Sequence, residues 1–205
     1  MTNYHCQLLP GRHYHIFSRA VGFEKLFRED ENCRFFLQKL TEHVLPVCSV
    51  WAYCLLPNHF HILVEIREEH DLRQAFEKVK KDRAYKEEFL PDFIMERFSN
   101  FLNSYTKAFN KRYQRKGSLF LDYIRRKEIE SDNQFSNCIF YIHRNPVHHG
   151  LTDSIDSWKW SSYHSLRHQT IDFIENEKVI DWYGGMNAFV EYHSQPIQLK
   201  DLDEP

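Results

Sequence analysis

Pro57–Ile66 reads PNHFHILVEI and follows directly on Val47–Leu56, VCSVWAYCLL. The earlier stretch is β-branched and aromatic enough for a strand. Pro57-Asn58 breaks it, and His59–Ile66 returns as its partner, so the pair is expected to form a hairpin. Side chains two apart on a strand share a face, with Cα atoms roughly 6–7 Å apart. His59 and His61 therefore offer two imidazoles to one ion, while Phe60 points to the opposite face, into the core. A bare H-x-H is weak evidence in a chain with 13 histidines. The second copy, His13-Tyr14-His15, lacks the Pro-Asn turn and the apolar strand that set off the first.

Outward from the hairpin, His13–Gly22 is a loosely alternating strand. Phe35, Phe36, Leu37, Leu40 and Val44 recur at helical spacing over Asn32–His43 until Pro46 stops them. After Glu68 the chain turns polar and helical, with Asp71 as N-cap. A second helical segment spans about Phe98–Tyr113, and Leu119–Ile129 reads as a strand. Asp132 caps a helix whose Phe135, Cys138, Ile139 and Ile142 share a face, and Pro146 and Gly150 end it. The order β–α–ββ–α(α)–β–α predicts an α+β fold with a largely antiparallel sheet and helices packed mainly on one face. One domain is expected over residues 1–170, with a polar helical region at about 68–99. An acidic C-terminal extension, 171–205, follows.

Composition narrows the class. The chain is 42% hydrophobic and 16% aromatic over 205 residues, enough for a packed core. No run approaches the roughly 18 apolar residues of a membrane helix, so no membrane partner is expected. Five cysteines without a CxxC pair read as reduced thiols in a bacterial-type cytoplasm. The net charge of −2 is unevenly spread: Ile171–Pro205 holds eight acids and two bases, leaving 25 bases against 21 acids before it. Lys107, Lys111, Arg112, Arg115, Lys116, Arg125, Arg126 and Lys127 crowd 21 positions with Asp122 as the only acid. Phe109, Tyr113, Phe120 and Tyr123 interleave with them. Such a run is a solvated surface or a phosphate-binding one.

The second chemical element is Tyr141 with Asn145, in FYIHRNPVHHG. Four apart on a helix, they share a face about 6 Å apart. A phenol attacks phosphorus only when the phosphate is polarised, and an amide oxygen one turn away can bind the polarising cation. Pro146 disfavours helical geometry at Asn145, placing that amide at the helix end. The plainer reading is a core tyrosine and a capping Asn.

PNHFHILVEI, then FYIHRNPVHHGL, then DSWKWSSYHS resembles the REP-associated tyrosine transposases, a branch of the single-tyrosine HUH transposases, in collinear order over roughly His13–Leu166. The resemblance implies a ferredoxin-like fold with the histidine pair on a central strand and the tyrosine on a flanking helix. It implies that His59, His61 and Asn145 ligate Mg²⁺ or Mn²⁺ and that Tyr141 is the nucleophile. The activity implied is cleavage and rejoining of single-stranded, hairpin-containing DNA through a 5′-phosphotyrosine, by a nucleoid-associated cytoplasmic enzyme that is a monomer or homodimer. The basic run from Lys107 to Lys127 would contact DNA. Tyr105 is the rival nucleophile, but its i+4 neighbour is Phe109, which binds no metal. GSLFLDYIRRK departs from the pattern, with Leu121 and Asp122 where family members often carry Gln and Arg. A metal-dependent nuclease using water, and a domesticated, non-catalytic DNA-hairpin-binding or regulatory protein, are the alternatives.

Overall fold

A computed structural model describes residues 4–168 and 173–195. Strands β1 (His13–Arg19), β2 (Cys48–Leu56), β3 (His59–Ile66) and β4 (Arg125–Ile129) form one sheet in the order β2-β3-β1-β4, every neighbour antiparallel. With helices α1 (Asp30–His43) and α3 (Leu90–Arg112) between them, this is the βαββαβ ferredoxin-like arrangement.

Alternation along β3 divides the molecule into two cores. Phe60, Ile62, Val64 and Ile66 face α1 and α3, where Phe36 lies 4.9 Å from the Phe60 ring and 4.7 Å from Phe101. Truncating an aromatic buried this way costs about 3–5 kcal/mol. Helix α2 (Glu69–Val79) lays Leu72 and Phe76 onto the same core. Leu63 of β3 and Ala52, Cys54 and Leu56 of β2 face the other way, against Phe135, Cys138, Ile139 and Ile142 of α4 (Asp132–His148). The two helices of the ferredoxin-like unit thus share one face, as expected. The other face is covered too, by α4 with α5 (Ser162–His168), α6 (Asn176–Trp182) and α7 (Met186–Ser194). Among the described residues, no helix is long and apolar enough to cross a membrane.

The DSWKWSSYHS stretch finds its reason at the sheet edge. Strand β2 would expose unpaired backbone there. Instead Leu55 N–H donates to Trp160 O at 2.9 Å, Trp158 Nε1 donates to Leu55 O at 3.0 Å, and Tyr53 N–H donates to Ser162 Oγ at 2.8 Å.

Several boundaries differ from the sequence reading. Helix α3 starts at Leu90 rather than near Phe98, because Pro91 suits a first turn and Phe93, Ile94 and Phe98 extend the apolar stripe. Strand β4 is confined to Arg125–Ile129. Glu68 rather than Asp71 precedes α2, and Ser131, whose Oγ accepts from Gln134 N–H, caps α4 in place of Asp132. Pro146 lies inside α4 rather than ending it. It sits in the last turn, so its missing N–H removes one bond only, and His149 N–H still donates to Asn145 O at 3.0 Å. Gly150, at φ 63°, follows the helix end as expected. The acidic extension lies partly outside the described residues; its described part, 173–195, contributes Val179 and Phe189 to the second core.

A chain of imidazoles ties α7 to α4. His193 Nδ1 donates to Phe189 O at 2.8 Å, so its Nε2 accepts from His143 Nδ1 at 2.9 Å, and His143 Nε2 accepts from Ser162 Oγ at 2.7 Å. Burial holds His143 well below the ordinary imidazole value of 6.5, and His193 at about 4. Below about pH 6.5 the unfolded chain binds protons that the fold refuses, so stability is complete above that value and falls as pH drops. Each such site costs about 1.4 kcal/mol per pH unit. Urea midpoints should therefore decline from pH 7 to 5, and less steeply in His193→Phe; a pH-independent midpoint would contradict this buried chain.

Candidate active site

The second core carries α4 across β3 where the two histidines begin. His59 pairs in register with Arg19 of β1, and His61 with Phe17. Their side chains lie on the α4 side of the sheet, and Phe60 goes to the other core. The His61 ring is 5.4 Å from the Tyr141 ring, edge-on at 85°. Asn145 Oδ1 lies 3.2 Å from His59 Nε2. One chain thus brings His59, His61, Tyr141 and Asn145 together. Tyr141 is only 2% exposed, yet it lines a cleft of about 640 Å³ with His59, His61, His149, Arg19, Phe23 and Lys25.

Proton positions follow from the partners. His59 Nδ1 meets Asn58 Oδ1 at 2.8 Å; an amide oxygen only accepts, so Nδ1 carries the proton. In the neutral ring, Nε2 then presents its lone pair to the Asn145 oxygen. Asn145 Nδ2 is buried without a hydrogen-bond partner. With its oxygen toward Nε2, the amide has the arrangement that suits a cation between the two atoms.

A third histidine completes the group. His15 Nε2 lies 2.9 Å from His61 Nδ1, the rings stacked at 28°, and its ring is 5.8 Å from Tyr141. With His61 Nδ1 engaged, Nε2 is the remaining ring nitrogen of that imidazole. Burial holds His61 well below the usual imidazole range, helped by His15, His59 and His149. Burial, helped by Lys127, brings His15 to about 3. Both rings are neutral at pH 7, the state a metal ligand needs. His15 belongs to the H-x-H copy that lacks the Pro-Asn turn and apolar strand of the first. The available signal was pairing: with β1 antiparallel to β3, His15 falls beside His61.

Arg19, Phe23 and Lys25 were also missed. Phe23 is fully exposed at the cleft, and the stretch SRAVGFEK had no periodicity to mark it.

The basic run divides. Lys107, Lys111 and Lys116 are exposed. Arg112 forms a two-pronged pair with Glu29 at 2.8 and 3.0 Å, Arg115 reaches Glu24 at 3.4 Å, and Arg125 reaches Asp122 at 3.2 Å. Arg126 donates to the carbonyls of His5, Cys6 and Ile124, pinning the N-terminal segment, while Lys127 is half-buried on β4. Phe109 and Phe120 are core residues, Tyr113 is held by Glu29 and Asn32, and Tyr123 is exposed. The departing segment runs beside the histidines, where Leu121, Asp122 and Arg125 line a small recess with His59 and His61.

Fold and site together define a ferredoxin-like α+β protein whose two-histidine strand and tyrosine helix meet in one cleft. Among known proteins, a Haemophilus influenzae protein named a REP-associated tyrosine transposase is 28% identical over 118 residues, 55% of this chain and 57% of that relative's length. A solved structure of a REP-associated tyrosine transposase bound to a REP hairpin superposes with a TM-score of 0.58, covering 84% of this chain and 88% of that one at 14% identity. No family model matches. The resemblance read from the three motifs is borne out by this relative, and the fold by this structure.

Tyr105 lies across the sheet. It is buried among Phe36, Phe109 and Phe120, its hydroxyl donating to Leu26 O at 2.5 Å. Removing that hydroxyl orphans a buried carbonyl, at about 1–3 kcal/mol. Tyr105→Phe should lower the urea stability by that order, and an unchanged stability would contradict the contact.

Proposed function

We propose that this chain is a REP-associated-type tyrosine transposase, which binds hairpin-containing DNA and cuts one strand by forming a 5′-phosphotyrosine at Tyr141. The observation that carries the reading is the meeting of the Tyr141 ring with His61 at 5.4 Å, beside the 3.2 Å approach of Asn145 Oδ1 to His59 Nε2. Nothing else in the described chain offers a nucleophile next to a cation-suited donor set inside a cleft.

His59, His61 and Asn145 would hold a divalent cation, Mg²⁺ or Mn²⁺, which when bound supplies Lewis-acid polarisation of the scissile phosphate. Mixed nitrogen and oxygen donors suit several such ions. Tyr141 Oη attacks phosphorus, the bond from phosphorus to the 3′ oxygen breaks, and the proton lost by the phenol balances the one that oxygen gains. The ester stays on the protein, so a new 3′ hydroxyl can reverse the step without ATP. Because Tyr141 is nearly enclosed, a flexible single strand reaches it more readily than a duplex. Arg19 and Lys25 at the rim supply positive charge for the backbone, and Phe23 supplies a face for an unpaired base. Lys107, Lys111 and Lys116 are the exposed remainder of the basic run and would contact phosphates outside the cleft.

Hairpin oligonucleotides labelled at either end, incubated with Mn²⁺, test this. Only the 3′-labelled fragment should remain on denatured protein, and Tyr141→Phe should lose the adduct by at least about 1,000-fold while Tyr105→Phe keeps it. Cleavage without an adduct would instead mean a water-using nuclease, and tight binding without cleavage a non-catalytic hairpin binder.

His15 holds the ring that would ligate the cation, and removal of such a partner typically costs 10–100-fold in metal affinity. Mn²⁺ titration followed by electron paramagnetic resonance should show His15→Leu weakened by about that factor, with part recovered in His15→Gln, whose amide oxygen can accept from His61 Nδ1. Equal Mn²⁺ affinity in all three chains would contradict this role.

A further inference from the structure

A second group of metal-competent side chains lies away from the cleft. Asp156 sits on a single 3₁₀ turn, Ile155–Ser157, and His164 and His168 are one helical turn apart on α5. One ligand atom from each lies within 4.8 Å of the other two. None of the three lines the tyrosine cleft.

Three details favour a cation over a chance surface grouping. His164 Nδ1 lies 2.9 Å from the Asp156 backbone oxygen. A carbonyl accepts only, so that nitrogen carries the proton and Nε2 is left with its lone pair. Metal-bound imidazoles are commonly held in this way, by a backbone carbonyl on the far nitrogen. Asp156 Oδ1 is shielded from solvent and makes no hydrogen bond, while His168 Nε2 lies 3.5 Å from it. The two imidazole rings are 4.4 Å apart, as i and i+4 positions on one helix face permit.

Tetrahedral zinc with bonds of about 2.0–2.2 Å needs ligand atoms roughly 3.3–3.6 Å apart. The group is wider than that by about 1 Å, within reach of side-chain rotation because the Asp156 and His168 side chains are 39% and 49% exposed. Two imidazoles and a carboxylate select a borderline ion such as Zn²⁺ over Mg²⁺ or Ca²⁺. We propose that Asp156, His164 and His168 form a zinc-class site with its fourth position open to water. The ion would staple the 3₁₀ turn to α5, both of which belong to the strap that closes the β2 edge.

The proposal is independent of the activity assigned to Tyr141, and the test keeps the two sites apart. The full chain carrying His59→Ala and His61→Ala is titrated with Co²⁺, whose tetrahedral absorption reports the ligand field. Saturation at one equivalent is expected, with displacement by Zn²⁺ and none by Mg²⁺. Adding His168→Ala or His164→Ala should weaken Co²⁺ binding at least 10-fold, whereas His70→Ala, at an exposed histidine outside the group, should leave it unchanged. If the double variant is unfolded by circular dichroism, the unaltered chain is compared with His168→Ala alone, which should bind one equivalent fewer. Co²⁺ binding that ignores His164 and His168, or that never saturates near one equivalent, overturns the proposal.

Discussion

The burial of one face of α4 against the sheet is the interaction on which the site depends. Phe135, Cys138, Ile139 and Ile142 meet Leu63 and the outward side chains of β2 in one apolar cluster. Because apolar burial is non-directional, the seam fixes where α4 lies but not which way its functional residues turn. That second decision belongs to helical period: Tyr141 and Asn145, four apart, fall on the edge of the apolar stripe nearest β3. Tyr141 is thus placed by packing, and the Asn145 amide by its spacing from it.

Polar restraints then set the finer geometry. Asn58 fixes the proton of His59, and His15 engages His61, so both imidazoles reach the cleft already oriented. Such preorganisation matters because a cation binds the neutral ring through one defined nitrogen. The cost of burying these rings is visible in how far His15 and His61 are driven from protonation. On the far side of α4, the His143–His193 chain performs the matching task, holding α7 against the tyrosine helix without adding charge to the core.

Legibility in the sequence tracked how local each signal was. The β2–β3 hairpin was readable because a Pro-Asn turn separates two apolar runs, and β3 falls on the residues its pattern marked. Tyr141 and Asn145 were readable as a helical pair, and the three motifs pointed to the ferredoxin-like frame. Pro146 misled, since a proline in a last turn costs too little to stop a helix that its neighbours bury. His15 was hidden because its importance comes from strand pairing, not from its own neighbours in sequence. The basic run hid its commitments for the same reason: Glu29 is 83 residues from Arg112, and Cys6 is 120 from Arg126. Phe23 and Lys25 had no pattern at all, Arg19 lay in a strand whose alternation was loose, and only the cleft gives the three a common setting.

The direct measure of the central claim is the through-space contact of Tyr141 in solution, which needs neither metal nor DNA. With ring-labelled tyrosine and histidine, nuclear Overhauser cross-peaks should connect Tyr141 ring protons to those of both His61 and His15, whose centroids lie 5.4 and 5.8 Å away. Tyr105 should show none to either histidine. Absence of the Tyr141 cross-peaks in a folded, assigned chain would mean that strand and helix do not converge, and the site described here would not exist.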